Sequence, residues 1–297
     1  MPVLDPSASV SVLKGCGIGP RTAQLLEKVG IQTLEDVLLY YPRDWQDRRF
    51  LTPIRDAKPG QELALQGKIK TVSINETRGG YAIVTVMLQD SSGEIVCRWT
   101  RKRSYKYDVL AGFKKEFQTN AQLSVYGTVS ADFAGKIMDA EDHEIVPPDQ
   151  KESIHFGRIA PVYPLTKGLQ GKFIRRLVHR TLDECALVDP LPADLVRSAK
   201  LMPVNESLRK LHFPATETEK ETARKRLAFQ ELFAIQVVLA LARNKRRVLR
   251  ADRYQIRKNL LTPFKTKCGF EFTRSQKKVI NEIFTDLTSD FPMNRLL

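Results

Sequence analysis

Hydrophobic and polar positions sort the chain into a β-rich middle flanked by helical stretches. From about Leu63 to Val146 the runs LALQGKIKTV, YAIVTVMLQD, EIVCRW, AQLSVYGTV and KIMDAEDHEIV are rich in strand formers. TRGG and DSSG between them are turn sequences. Five strands in about 85 residues, with a longer insertion before the fourth, predict a small Greek-key barrel of the OB type over 56–148. Before it, over 1–55, Pro20 sits just inside a helix start, Ala23, Leu25, Leu26 and Val29 make an apolar face, and Gly30 is placed to cap. LEDVLLYYP predicts a second short helix, so a glycine-rich hairpin stands ahead of two helices.

After the linker VPPDQKES the pattern turns helical again over 149–262. GRIAPVYPLTKGLQGKFIRRLVHRTLDE reads as an extended, proline-containing piece that runs into an amphipathic helix. Two short helices follow, separated by prolines. One long helix is predicted at about 219–247, where Ala228, Leu232, Ile235, Leu239 and Ala242 fall on one face. The last stretch, 263–297, reads as the opening of another domain: a polar helix, a TSDFP turn and MNRLL as a buried strand. The fold class is therefore α+β, a helix-hairpin-helix-like segment, a five-stranded barrel, a helical region and the first elements of an α/β domain.

Charge changes this picture from architecture to partner. Lys+Arg number 48 against 34 Asp+Glu, a formal +14, which favours a polyanion and nucleic acid ahead of a membrane surface. Residues 220–258 alone hold twelve Lys/Arg and three acids. The four cysteines and four histidines are scattered without ligand spacing, so no metal site is expected, and isolated thiols suit a reducing cytoplasm. The N-terminus lacks the basic start and apolar core of a signal peptide, and FAIQVVLALA is too short to span a bilayer.

Three stretches carry candidate chemistry. Gly17 and Gly19 permit a tight turn next to a helix N-terminus, with Arg21 beside it, a geometry that offers backbone N–H groups to phosphate. A turn that only packs two helices explains the same residues. In RWTRKRSYKYDVLAGFKK, Arg101, Lys102, Arg103 and Lys106 stand among Trp99 and Tyr105, the mixture of cations and rings that holds single-stranded nucleic acid. Period two puts Trp99 on the face of Ile95 and Cys97, so a core position is equally open to it. In GFEFTRSQ, the amide of Gln276 can read an adenine edge with Phe272 and Thr273 nearby, and a surface helix explains it as well.

These stretches together resemble RecG, the family of bacterial ATP-dependent DNA helicases acting on stalled forks and Holliday junctions. The likeness runs from about Leu13 onward through LKGCGIGPRTAQLLEKVGI, TLEDVLLYYPRDWQDR, GRIAPVYPLTKGL, LRKLHFP, ARKRLAFQELFAIQ, FTRSQKKVINEI and PMNRLL. It implies a wedge domain built on the OB-type barrel that splits a DNA fork, followed by two motor domains using ATP and Mg²⁺. Phe272, Thr273 and Gln276 match the family's Q-like motif. In the family, the strand starting MNRLL leads into a Gly-x-x-x-x-Gly-Lys-Ser/Thr loop, and no such run occurs in these 297 residues. The chain therefore reads as the DNA-recognition part of such a helicase, with no cofactor and no ATP hydrolysis of its own, monomeric, and binding branched and single-stranded DNA. The stretch after Trp99 is longer and more basic than the family's usual aromatic turn. Two other readings are a stand-alone OB-fold protein for single-stranded DNA or RNA, and a protein scaffold docking through the long helix.

Overall fold

The computed structural model describes residues 4–13, 15–77, 79–102, 110–132, 135–147, 153–247, 254–293 and 295–296. The chain forms two compact units, Met1–Leu227 and Ala228–Leu297.

The first unit opens with a 3-10 turn at Val10–Val12, α1 (Pro20–Glu27) and α2 (Leu34–Leu38). Pro20 begins α1 where its missing N–H costs nothing. Gly30 ends the helix region at φ 82°, a conformation that glycine adopts without Cβ strain. Thr33 caps α2 by accepting from the Asp36 N–H while Asp36 accepts from the Thr33 N–H, a reciprocal capping box. Strand β1 (Asp44–Asp47) then leads out of the helical layer.

The barrel follows as β2 (Glu62–Glu76), β3 (Tyr81–Gln89), β4 (Glu94–Lys102), α3 (Ala111–Glu116), β5 (Gln122–Asp132) and β6 (Gly135–Ile145). The strands close in the order β2-β3-β4-β6-β5, with β4 and β6 parallel and the other pairs antiparallel. Closure forces backbones together at two glycines. A Cβ on Gly67 would lie 2.5 Å from the Gln89 carbonyl oxygen, and one on Gly127 would lie 2.2 Å from that of Asp139. Gly127 also marks the register shift between β5 and β6. Inside, Leu65, Val84, Val86, Leu88, Cys97, Leu123, Val125 and Met138 are buried in one core, as the alternation of β3 requires.

The chain then returns to the layer it left. β7 (Ile159–Val162) pairs antiparallel with β1, and α4 (Gly171–Glu184), α5 (Ala193–Ser198), α6 (Val204–His212) and the first turns of α7 (Glu217–Arg247) complete it. Leu26, Leu34 and Leu38 from before the barrel share one core with Leu177, Leu208 and Leu227 from after it. Trp45 Nε1 donates to the Leu211 carbonyl at 2.9 Å, and Tyr40 Oη to that of Pro164 at 2.7 Å. The segment predicted at 1–55 and the part of 149–262 up to Leu227 thus build a common helical scaffold, with the barrel inserted between them.

The second unit holds the remainder of α7, α8 (Lys258–Lys267) and α9 (Arg274–Leu287). None of its described residues is buried. Leu232, Ile235, Val238, Leu239 and Leu241 of α7 are exposed, and by length and composition alone α7 could cross a membrane. The predicted strand MNRLL is not one: its described residues are coil. Among the described residues of this unit there is no strand, and Arg295 reaches Glu282 and Asp286 on α9.

Candidate nucleic-acid interface

The interface begins with the strand that carries the predicted aromatic. β4 alternates, with Ile95, Cys97 and Trp99 buried and Thr100, Arg101 and Lys102 exposed at its end. Trp99 is fully buried. Its ring packs at centroid distances of 5.0 Å on Phe117, 5.2 Å on His143 and 6.1 Å on Phe113. The core alternative therefore holds, and Trp99 is corrected from a stacking platform to the centre of an aromatic cluster. The reason is the period of two, which commits position 99 once 95 and 97 face inward. Its indole Nε1 is buried with no partner.

Arg101 and Lys102 stay at the open end of the strand pair, opposite Ala82 and Tyr81. The Arg101 guanidinium donates to the Thr100 carbonyl at 3.1 Å and lies 5.6 Å from the Phe113 ring centroid. Arg98, by contrast, is spent within the barrel on Asp139 at 2.7 Å. Arg103, Tyr105 and Lys106 lie outside the described residues.

The glycine hairpin is exposed. Gly15 and Gly17 have φ values of 82° and 71°, and Gly19 is the N-cap of α1. No side chain caps that helix and no acidic residue stands in its first turn, so its leading N–H groups remain available to an anion. Arg21 is exposed beside them. A 3-10 turn precedes the hairpin in place of the first helix of a helix-hairpin-helix.

Packing adds residues that sequence reading missed. Gly15 and Cys16 line a cavity of about 420 Å³ with Arg176, His179 and Arg180 of α4. Lys172 and Arg175, also on α4, line a second cavity with Arg101. One helix thus faces the hairpin at one cavity and the basic end of β4 at the other. The run GKFIRRLVHR was the signal: it holds five basic residues, which amphipathicity alone did not assign.

Deep charges tie the barrel to the scaffold. Asp142 on β6 accepts from Arg48 at 2.8 Å and from Arg175, and Lys172 Nζ lies 3.8 Å away. Burial opposes its negative charge, but Arg175 and Arg48 outweigh that and hold the carboxyl well below the usual range. His212 joins scaffold elements: Nε2 meets the Leu38 carbonyl at 2.9 Å and Nδ1 meets Tyr163 Oη at 2.9 Å. A carbonyl only accepts, so Nε2 carries the proton and Nδ1 receives the Tyr163 hydroxyl. Burial lowers the pKa of His212 to about 4.

In the second unit, Thr273 caps α9. Its Oγ1 accepts from the Gln276 N–H at 3.3 Å, and Gln276 Oε1 accepts from the Thr273 N–H at 2.9 Å. Phe272 packs edge-on against Phe270. Gln276 Oε1 is thus committed to its own helix, and the 297 residues hold no Gly-x-x-x-x-Gly-Lys-Ser/Thr run.

A closed five-stranded barrel set into a helical scaffold and edged with cations defines an OB-type wedge architecture. Residues 13–185 match the family described as "RecG wedge domain". The ATP-dependent DNA helicase RecG of Thermotoga maritima is 32% identical over 296 residues, 99% of this chain and 36% of that protein. RecG of Escherichia coli K12 is 27% identical, over 95% of this chain and 40% of that protein. A solved structure described as "Structure of RecG bound to three-way DNA junction" superposes with a TM-score of 0.74 at 31% identity, over 99% of this chain and 39% of that one. The chain belongs to the RecG wedge domain family and spans somewhat over a third of the length of these relatives.

Proposed function

We propose that this chain binds branched DNA, at stalled forks and Holliday junctions, as the recognition part of a RecG-type helicase serving recombination and repair in the cytoplasm. The observation that carries this reading is the likeness across 99% of the chain to a RecG structure bound to a three-way junction. The exposed hairpin N–H groups, Arg21, Arg101 and Lys102 supply sequence-independent phosphate contacts. The segment 103–109, rich in Lys, Arg and Tyr, supplies rings for unpaired bases. ATP hydrolysis is not a property of these residues alone, since phosphoryl transfer needs a phosphate loop and a metal site.

The test is affinity for a three-way junction, a duplex and a single strand of equal length. The junction is expected to bind tightest, with a loss of about 10³-fold between 50 and 200 mM salt if about six phosphates are engaged. Preference for the single strand would favour the stand-alone OB-fold reading. A junction affinity indifferent to salt would sink the electrostatic account.

A further inference from the structure

We infer that the cavity between α4 and the barrel is a phosphate-binding site, centred on the N-terminus of α4 and on Lys172, Arg175 and Arg101. The cavity measures about 680 Å³ and lies wholly within the first unit. Gln170 and Gly171 line it, and these are the N-cap and first residue of α4. The helix is 14 residues long, its N-cap side chain makes no capping bond, and its first turn holds no acidic residue. Its leading N–H groups and partial positive charge therefore await an anion.

The second observation is independent of the helix terminus. Arg175, only 3% exposed, lines the same cavity; its Nη2 bonds Asp142, and its Nε has no hydrogen-bond partner among the described residues. A buried guanidinium nitrogen without an acceptor is costly, and a phosphate oxygen is the acceptor such a fork suits best. The local charges leave room for one. Asp142 is already shared between Arg48 and Arg175, and Glu116 lies 3.3 Å from His143 Nε2. Glu141 also lines the cavity, within reach of Gln46 Nε2 at 3.4 Å. Lys172 stands 3.8 Å from Asp142, and among the described residues Arg101 meets a backbone carbonyl and a ring face. These two cations and the helix N-terminus converge on the cavity. Burial lowers the pKa of Lys172 against the pull of Asp142, Glu116 and Glu144, so its ammonium still gains from a further anion.

A DNA backbone phosphate and a free phosphate compound share this chemistry. The identity of the source rests on the DNA-binding reading, whereas the site itself does not. The experiment compares the full chain with Lys172→Gln and Gln170→Asp, each confirmed folded by circular dichroism. Gln170→Asp places a carboxylate at the N-cap, where it occupies the helix N-terminus from within. Thermal midpoints are measured in inorganic phosphate and in chloride at matched ionic strength. At ten times Kd, phosphate is expected to raise the Tm of the natural chain by about 3–6 °C. Lys172→Gln is expected to lose most of that rise, and Gln170→Asp to start higher and gain little.

Junction binding then separates the sources. If both variants also flatten the slope of log K against log salt by about 0.9, the ligand is a backbone phosphate. If the phosphate shift is lost while junction binding is unchanged, the site takes a free phosphate compound. A phosphate shift in a chain that binds no DNA would overturn the proposed function and leave the site standing. Equal Tm in phosphate and chloride, or an undiminished rise in both variants, would overturn the site.

Discussion

Trp99 and Leu232 are both large apolar side chains that periodicity sets on one face of an element. Trp99 is 0% exposed and Leu232 62%. The difference lies in what each element can do alone. A barrel closes on itself, so every inward position of β2 to β6 meets another across the interior. A helix cannot bury its own stripe. The first turns of α7 bury Ala223 and Leu227 in the scaffold core, whereas among the described residues of the second unit none closes over the stripe beyond Ala228. An apolar pattern therefore predicts an element, and burial depends on a partner for its face.

The largest test of this contrast is truncation. Trp99→Ala is expected to cost the first unit about 3–5 kcal/mol by urea unfolding. Leu232→Ala is expected to cost less than about 0.5 kcal/mol. Comparable losses would show that α7 is covered in solution.

Mild acid, between about pH 6.5 and 4, should act through the first unit, since all four histidines lie within it. Burial lowers His212 from 6.5 to about 4, so between those pH values the unfolded chain binds a proton that the folded chain refuses. Stability is expected to fall by about 3 kcal/mol as pH drops from about 6.5 to 4. His155, lowered to about 3 by burial and then by Arg175, adds to the same fall. The carboxyl of Asp142 works at lower pH. Its contribution is complete above the unfolded value of about 3.9 and is lost below it as the folded carboxyl takes up its proton. Thermal unfolding across pH checks this, with His212→Gln expected to flatten the upper limb.

Smaller effects are expected in the second unit. Gln276→Ala removes half of a capping box and should loosen α9 by about 0.5–1 kcal/mol, seen as a loss of helical ellipticity. Smallest in stability is the pair Leu232→Ser with Ile235→Ser. Both positions are exposed, so Tm should move by no more than a degree or two. Concentration-dependent association, measured by light scattering, should decline because an exposed apolar patch has been broken.

Several local features were legible from residue order. The five strands, the Pro20 helix start, the Gly30 cap and the long helix all rest on rules that act within a few residues. The interface was legible only as a set of basic stretches. Lys172, Arg175, Arg176, His179 and Arg180 looked like the polar side of an amphipathic helix, and only packing brought them against Arg101 at one cavity and Gly15 at another.

What the sequence determined by itself was the identity of most elements and the alternation that puts Trp99 on one face with Ile95 and Cys97. Period and turn chemistry are local, and they survive without knowledge of the fold. Tertiary structure decided what the elements were for. It joined residues before and after the barrel into one scaffold, set Asp142 between Arg48 and Arg175, and left the described residues of MNRLL as coil. The scaffold depends on pairings more than a hundred residues apart, such as β1 with β7 and Trp45 with Leu211. Local propensity carries no information about such contacts, because their free energy arises only when the distant partner is present.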